Sequence, residues 1–599
     1  MLSHSLLALG GLMSLTTLAP LAAAAPYDNL NPVPSSSTCN TPSNRSCWTD
    51  GFNIDTDYET YVPTTNLTRL YIFNLTEADN YIGADGVVKK KAMLINGAFP
   101  GPVIQADWGD TIEVQVINNL ETNGTSIHWH GLRQFDNNIN DGTNGITECP
   151  IPPGHNKTYT FRAAQYGTSW YHSHFSSQYA YGVTGSIQIN GPASASYDVD
   201  LGVMPISDWY YETADTLLAR VSDPNDPFIP GLAGSPPPSD NVFFNGTNID
   251  PAGSGGGSYA RVTLTPGLTH RLRLINPSVD NTFTVSIVGH DMTVIATDFV
   301  PVNPVTVDSI YMGVGQRYDI LIDANQTVGN YWMNVTYSSA LVCGSSNNPY
   351  PAAIISYAGA DDGLPTDLGS PPPDTFCADS TDFTPVLNWT GPVASFNATP
   401  SDTLSVAIDV DTNISKVFWT VNGSSIDVQW DQPTLQYILD GDTTDFPAAE
   451  NVIQPPDSSL WSFWLIENVS PIPHPMHLHG HDFLIVGRSD ALANPLDPSA
   501  VPVSFDPSTD AAKLNGNNPT RRDTTMLPAY GWLVVAFKTD NPGSWLFHCH
   551  ISWHASQGLS VQFLERAGDI ASSMDLSQIE DNCAAWKAYT GPAQVDSGL

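Results

Sequence analysis

The chain has 599 residues, too many for one hydrophobic core and suited to three or four domains. It is 41% hydrophobic and only 14% charged, so a large packed interior is available. Lys plus Arg is 21 and Asp plus Glu is 60, a formal net charge of -39, which argues against nucleic acid or an anionic membrane as partner and fits solubility and neutral aromatic or cationic ligands.

The chain opens with LLALGGLMSLTTLAPLAAAAP, an apolar run broken by Pro20 and ending in small residues. Residues 1–25 are expected to be a signal peptide cut near Ala22–Ala25, with a short propeptide to follow. The n-region offers only the amino terminus and His4, and a membrane anchor is the alternative. No later stretch reaches spanning length, so the mature protein is expected to be soluble, secreted and free of membrane. Thirteen N-x-S/T sequons, among them Asn66, Asn74, Asn245, Asn334, Asn388 and Asn468, fit a secreted glycoprotein.

Short alternating runs such as TIEVQVINN, RLRLIN, SFWLIEN and GWLVVAFKT follow, separated by Gly, Pro and Asn. They predict an all-β chain of sandwiches. A repeat occurs three times: GDTIEVQVINNLETNGTSIHWHGL (109–132), LTHRLRLINPSVDNTFTVSIVGHDMTVI (268–295) and LWSFWLIENVSPIPHPMHLHGHDFLIV (460–486). A second repeat trails each copy: YGTSWYHSHFS, VGNYWMNVTYS and PGSWLFHCHIS. Three sandwich domains are expected, near 55–195, 196–365 and 380–570, with a Pro/Gly-rich linker at 361–374 and a short helical tail in 571–599. Where the first and third copies carry HWH, HSH, HLH and HCH, the middle copy carries VSI and MNV. The sandwich therefore forms without those histidines, and packing does not explain them.

In a strand, residues i and i+2 share a face. His128/His130, His172/His174, His477/His479 and His548/His550 thus each project two imidazoles from one face. Eight imidazoles from the first and third domains, gathered in one place, suit a metal cluster between those domains.

There are seven cysteines, so in an oxidising compartment one stays unpaired. Cys549 is the odd one, because histidines crowd it. Sequence proximity favours Cys39–Cys47 and Cys343–Cys377, which leaves Cys149–Cys583 to tie the tail to the first domain. The Cys549 sulfur must point away from His548 and His550, where His474 and His554 can meet it. One Cys with two His is the blue-copper set. A Cys–His hydrolase needs one base rather than ten histidines, and a structural zinc site takes four ligands and stays closed.

HWHG (128–131), WYHSH (170–174), HPMHLHGH (474–481) and HCHISWH (548–554), in this order, resemble the multicopper oxidases, and most closely their ascomycete laccases. The likeness spans nearly all of the chain after the signal, including ECPIPPG, RRDTTMLPAYGW and the final DSGL. It implies cupredoxin-like domains and four copper ions per chain. Type 1 copper would be held by His474, Cys549 and His554, and type 2 by His128 and His477. The paired type 3 coppers would be held by His130, His172 and His550, and by His174, His479 and His548. The axial type 1 position would be Leu559, which cannot coordinate. The family's chemistry is one-electron oxidation of phenols at type 1 and reduction of dioxygen to water at the trinuclear cluster. Lignin phenols, pigment precursors and plant phenolics are all candidate substrates, and a monomer is expected.

By the same resemblance Asp141, in NDG, is the acid near the water channel, with a turn-forming Asp-Gly as the plain alternative. Asp280, in NPSVDN, or Asp208, in SDWYY, would take the phenol proton, with Asp280 favoured. Trp553 would wall the substrate pocket, and Ser552 stands where the basidiomycete branch often carries an acid. The final DSGL would plug the cluster with the carboxylate of Leu599. Of the remaining histidines, His290 and His481 read as structural and His155 and His270 as surface residues. The competing readings are a ferroxidase, a bilirubin or ascorbate oxidase, or a copper-binding cupredoxin protein without turnover.

Overall fold

The structure, a computed structural model, describes residues 39–591 apart from 50, 397, 458 and 459. The expected signal segment and the DSGL terminus with Leu599 lie outside the described residues. Among those described, no helix is long and apolar enough to cross a membrane.

Alternating sequences give alternating faces. Strand Thr111–Asn118, TIEVQVIN, buries every second residue, so one face packs inward and the other meets solvent. It lies in the first domain's four-stranded sheet, between Thr68–Ile82 and Asn156–Arg162. The second sheet of that domain runs Gly101–Asp107, Thr184–Asn190, Gly167–Ser173, Ile127–Trp129.

The middle and third domains repeat one topology. The middle domain's six-stranded sheet is ordered Asn241–Phe244, Val199–Trp209, Thr269–Ile275, Arg317–Asp323, Met292–Thr297, Val300–Val307. The third domain's is ordered Lys416–Val421, Thr403–Asp411, Trp461–Asn468, Trp532–Lys538, Phe483–Arg488, Arg521–Arg522. Each packs with a five-stranded sheet whose inner strands also match. Ala352–Tyr357, Asn330–Thr336, Phe283–Ile287 in one correspond to Ser560–Glu565, Gly543–Cys549, His474–Leu478 in the other. The three-domain, all-β architecture read from the repeats is the one observed. Helices Ala567–Ser573 and Ser577–Thr590 form the tail.

The disulfides are Cys39–Cys47, Cys149–Cys583 and Cys343–Cys377, and Cys549 is free and buried. Cys149–Cys583 joins positions 434 residues apart. Around it Ile139, Ile146, Trp430, Leu546, Ile579 and Trp586 form a separate apolar cluster, which seats the helical tail against the first and third domains.

Two expectations about single residues change. His270 is buried rather than superficial, because strand Thr269–Ile275 is covered on both faces, and its Nε2 accepts the Thr265 amide. The sequon Asn468 is also buried. Its Nδ2 donates to the carbonyls of Ile472 and Pro528, which fixes a loop rather than presenting an amide to solvent.

Candidate metal centre

Strand pairing assembles the site. Ile127–Trp129 lies beside Gly167–Ser173 with His128 opposite His172. His474–Leu478 lies beside Gly543–Cys549 with His477 opposite His548 and Met476 opposite Cys549. Each H-x-H motif therefore meets a second one across a ladder, and the two ladders face each other across the junction of the first and third domains. All ten histidines and Cys549 are buried, none more than 7% exposed. Their donor atoms fall into four groups with all atoms within 4.8 Å: His128, His130 and His477; His130, His172 and His550; His174, His479 and His548; and His474, Cys549 and His554.

Hydrogen bonds fix which nitrogen carries the proton. The Nδ1–H of His128, His172, His477 and His548 donates to the carbonyls of Asp141, Ser173, Asp523 and Cys549 at 2.9–3.0 Å. His479 Nδ1 donates to Asp141 Oδ2 at 2.8 Å. The Nε2 lone pairs are then left facing inward, and those of His128, His172 and His477 have no partner at all. His479 Nε2 faces His548 Nε2 at 3.2 Å. His130 is reversed: its Nε2 donates to Asp523 Oδ1 at 3.2 Å, and its Nδ1 faces His550 Nε2 at 3.1 Å. Burial and neighbouring imidazoles hold His130, His172, His479, His548 and His550 well below the usual histidine range. Converging lone pairs of neutral rings, left orphaned in a buried space, are a donor set for metal cations.

On the opposite face of the Gly543–Cys549 strand, Cys549 Sγ lies 3.5 Å from both His474 Nδ1 and His554 Nδ1. Burial pushes the thiol up, so a thiolate there requires a cation beside it. Trp419 packs its ring against both imidazoles, at 4.7 and 4.4 Å between centroids. A trigonal sulfur–nitrogen set of this kind fits copper.

Sequence models of multicopper oxidase domains match residues 76–194, 200–360 and 427–569. This chain belongs to the multicopper oxidase family. Among its relatives are a laccase of Melanocarpus albomyces, 56% identical over 94% of this chain and 90% of that one, and a laccase of Neurospora crassa, 54% identical over 92% and 87%. The crystal structure of the laccase from Botrytis aclada superposes with a TM-score of 0.82 at 39% identity, covering 94% of this chain and all of that one. Fet3p, a multicopper oxidase that functions in iron import, superposes with a TM-score of 0.73 at 25% identity, covering 87% and 95%. Within its family the chain is an ascomycete-type laccase.

The middle domain of this multicopper oxidase carries none of the grouped donors, yet it braces them. Its Arg317 is fully buried and binds both oxygens of Asp523 at 2.7 Å. Burial alone would raise the Asp523 carboxyl, but the Arg317 guanidinium and His130 hold it well below the usual carboxylate range. Asp523 in turn takes His130 Nε2 and, through its carbonyl, His477 Nδ1. Gly131 and Gly315 are small because the site leaves no room. A Cβ on Gly131 would come within 2.3 Å of Asp523, and one on Gly315 within 3.0 Å of His130 and 3.2 Å of His550. Arg317, Gly315 and Asp523 were not singled out from the sequence. Asp523 lies in the RRDTTM segment, but nothing local links it to a middle-domain arginine.

Asp141 is buried beside His128 and His479, its carboxylate also accepting the Thr143 hydroxyl. Asp208 and Asp280 are both buried, with different surroundings. Asp208 accepts the amides of Val279, Asp280 and Asn281 at 2.8–3.1 Å, so it holds the loop that carries Asp280. Asp280 Oδ2 has no partner. Burial raises Asp208 to about 6, and burial together with Asp208 raises Asp280 well above the usual range. Trp553 is wholly buried with its ring 6.1 Å from that of Tyr210. Leu559 is tied to the sulfur–nitrogen set by its backbone, whose N–H donates to the His554 carbonyl and whose carbonyl accepts from the Cys549 amide. His481 pairs with Glu565 at 3.0 Å, His290 bonds Tyr357 at 2.7 Å, and His155 is exposed.

Proposed function

We propose that the protein is a secreted, glycosylated laccase that oxidises small phenols one electron at a time and reduces dioxygen to water. The reading assigns four copper ions per chain. Type 1 is held by His474, Cys549 and His554, and type 2 by His128 and His477. Type 3 is held by His130, His172 and His550 and by His174, His479 and His548. Bound copper would supply the redox chemistry, four substrate electrons per dioxygen. The observation that carries the reading is the tripeptide His548-Cys549-His550. Its thiol belongs to one donor set and its two imidazoles to two others, so one or two peptide units link electron entry to the cluster.

The remaining roles belong to the chain's own groups. Asp280, buried with a free oxygen, is placed to accept a phenolic proton, and Asp208 to position it. Asp141 orients His128 and His479 and holds an acidic group beside the cluster. Leu559, with no donor atom at the axial position, favours a higher type 1 potential than Met. Trp553 backs the pocket from the core. Domain limits near 55–195, 196–365 and 380–570 and a monomeric state complete the proposal, with a signal at 1–25 and the 571–599 tail ending in a plug formed by DSGL. Lignin-derived phenols are one substrate class among several.

The relatives named laccases support phenol over ferrous ion. The test is dioxygen uptake by the copper-loaded protein with a methoxyphenol, ferrous ion or ascorbate at equal concentration. Phenol is expected well ahead. Iron or ascorbate ahead would overturn the laccase reading and remove the role given to Asp280.

A further inference from the structure

Strand Lys416–Val421 ends in the turn VNGS, residues 421–424. Val421 and Ser424 exchange backbone hydrogen bonds at 2.9 and 3.0 Å, with Asn422 and Gly423 at φ +52° and +79°. Asn-Gly suits such a left-handed turn. With Ser424 it is also one of the thirteen sequons. Asn422 is exposed and its amide is held in place. The Oδ1 accepts the Ser405 amide at 2.7 Å, and the Nδ2 donates to the Thr403 carbonyl at 3.2 Å. That bond uses one hydrogen of Nδ2 and leaves the other for substitution.

Asn422 and Ser424 both line a cavity of about 510 Å³ in the third domain. The segment 444–448 and strand Val452–Ile453 line it too. Phe446 is half-buried there, its ring centroid 5.7 Å from that of Tyr437. Asn451 Nδ2 donates to the carbonyls of Ser424 and Ser560 at 3.3 and 3.2 Å, and Gln454 Nε2 donates to the Thr443 carbonyl at 2.6 Å. Among the described residues, none that lines the cavity is charged. That is notable on a chain of formal net charge -39, and it disfavours a phosphate or a cation as occupant. An aromatic and aliphatic lining set with amides and a hydroxyl suits a neutral saccharide. Sugar C–H faces can lie on Phe446, and hydroxyl and acetamide groups can meet Thr444, Asn451 and Gln454.

We infer that this cavity seats the first sugars of an N-linked glycan carried by Asn422. The inference rests on the reading of the chain as a secreted glycoprotein. Attachment joins Asn422 Nδ2 to the anomeric carbon of an oligosaccharide carried on a polyprenyl diphosphate; the diphosphate leaves and Nδ2 loses one proton. The tether then holds the proximal N-acetylglucosamine pair beside the cavity at high effective concentration, so weak contacts suffice. Seating has a structural use. Val452–Ile453 is a two-residue edge strand that pairs with Ser560–Glu565, which pairs in turn with Gly543–Cys549. Short sheet edges left bare are prone to opening and to foreign pairing. The glycan covers the edge of the sheet that carries Cys549.

The test begins with glycopeptide mass spectrometry of the secreted protein, where Asn422 is expected to be occupied. An endoglycosidase that cuts between the two proximal N-acetylglucosamines should release this glycan about tenfold more slowly from the native than from the denatured protein. Phe446→Ala keeps the sequon and should abolish most of that protection. Ser424→Ala removes the sequon and leaves Asn422 in its turn, so hydrogen exchange over residues 443–454 should quicken about threefold or more. Ser424→Thr keeps the sequon and should exchange like the wild type. Asn422 bare while other sequons are occupied overturns the inference, and so does an occupied Asn422 released equally fast from native and denatured protein. Equal exchange in both Ser424 variants overturns the cover over the edge strand. A secreted protein with no glycan at any sequon would overturn the glycoprotein reading beneath it.

Discussion

Asp208 and Asp280 are 72 positions apart in sequence but adjacent in the folded chain, and they have separate duties. Asp208 satisfies three backbone amides, and Asp280 has an oxygen left over. Asp280→Ala is expected to lower phenol turnover by about 100-fold, most where Asp280 is ionised, while sparing ferrocyanide, as steady-state kinetics with both donors would read. Asp208→Ala should act first on stability, losing about 2–4 kcal/mol in a denaturant melt, because three buried amides lose their acceptor. At Leu559 the expected effect is electronic. Leu559→Met supplies a weak axial donor and should lower the type 1 potential in a redox titration. An unchanged potential would place the axial position elsewhere.

At the scale of elements, the ladders explain why the donor residues are legible in the sequence and their supports are not. H-x-H is a strand-period pattern that the middle repeat lacks, so His128, His130, His172, His174, His477, His479, His548 and His550 separate from packing residues by eye. Arg317 sits in a strand, RYDILID, that reads as plain sandwich core, and its partner Asp523 is 206 positions away. His270 misleads for the opposite reason: a polar residue in an alternating run suggests an outer face, but the strand has none. Arg317→Met leaves a buried carboxylate unpaired and should cost about 3–5 kcal/mol. It should also weaken the electron paramagnetic resonance signal of copper bound by His128 and His477, with the blue absorption retained. Arg317→Lys should restore part of the stability.

Glu450 gives a pH dependence at the same scale. It is buried beside Tyr437 with Oε2 unpartnered, and burial raises its carboxyl to about 7. The folded chain therefore keeps a proton that the unfolded chain releases near 4.5. The stability this gives is present below about 4.5 and is lost as pH rises to about 7. Glu450→Gln has no proton to lose. Its melting temperature should gain on that of the wild type between pH 5 and pH 8, and equal differences at both pH values would contradict the assignment.

Over the whole molecule, the cluster exists only where the first and third domains meet, and the chain secures that meeting covalently. The Cys149–Cys583 bridge closes a separation of 434 residues, and in the chain-entropy account such a closure is worth about 6 kcal/mol. Cys583→Ser is expected to lose stability on that order in a denaturant melt, with the copper-thiolate absorption outlasting the trinuclear signal as denaturant rises. Asn330–Thr336, with no histidine or cysteine, and Gly543–Cys549, which carries His548 and Cys549, occupy equivalent places in one topology, so fold and donor set are separable in this architecture. That separation has a consequence for descent. The middle domain lends the grouped donors a brace, Arg317 on Asp523, and no donor of its own, so the rest of its surface can change without putting a donor residue at risk.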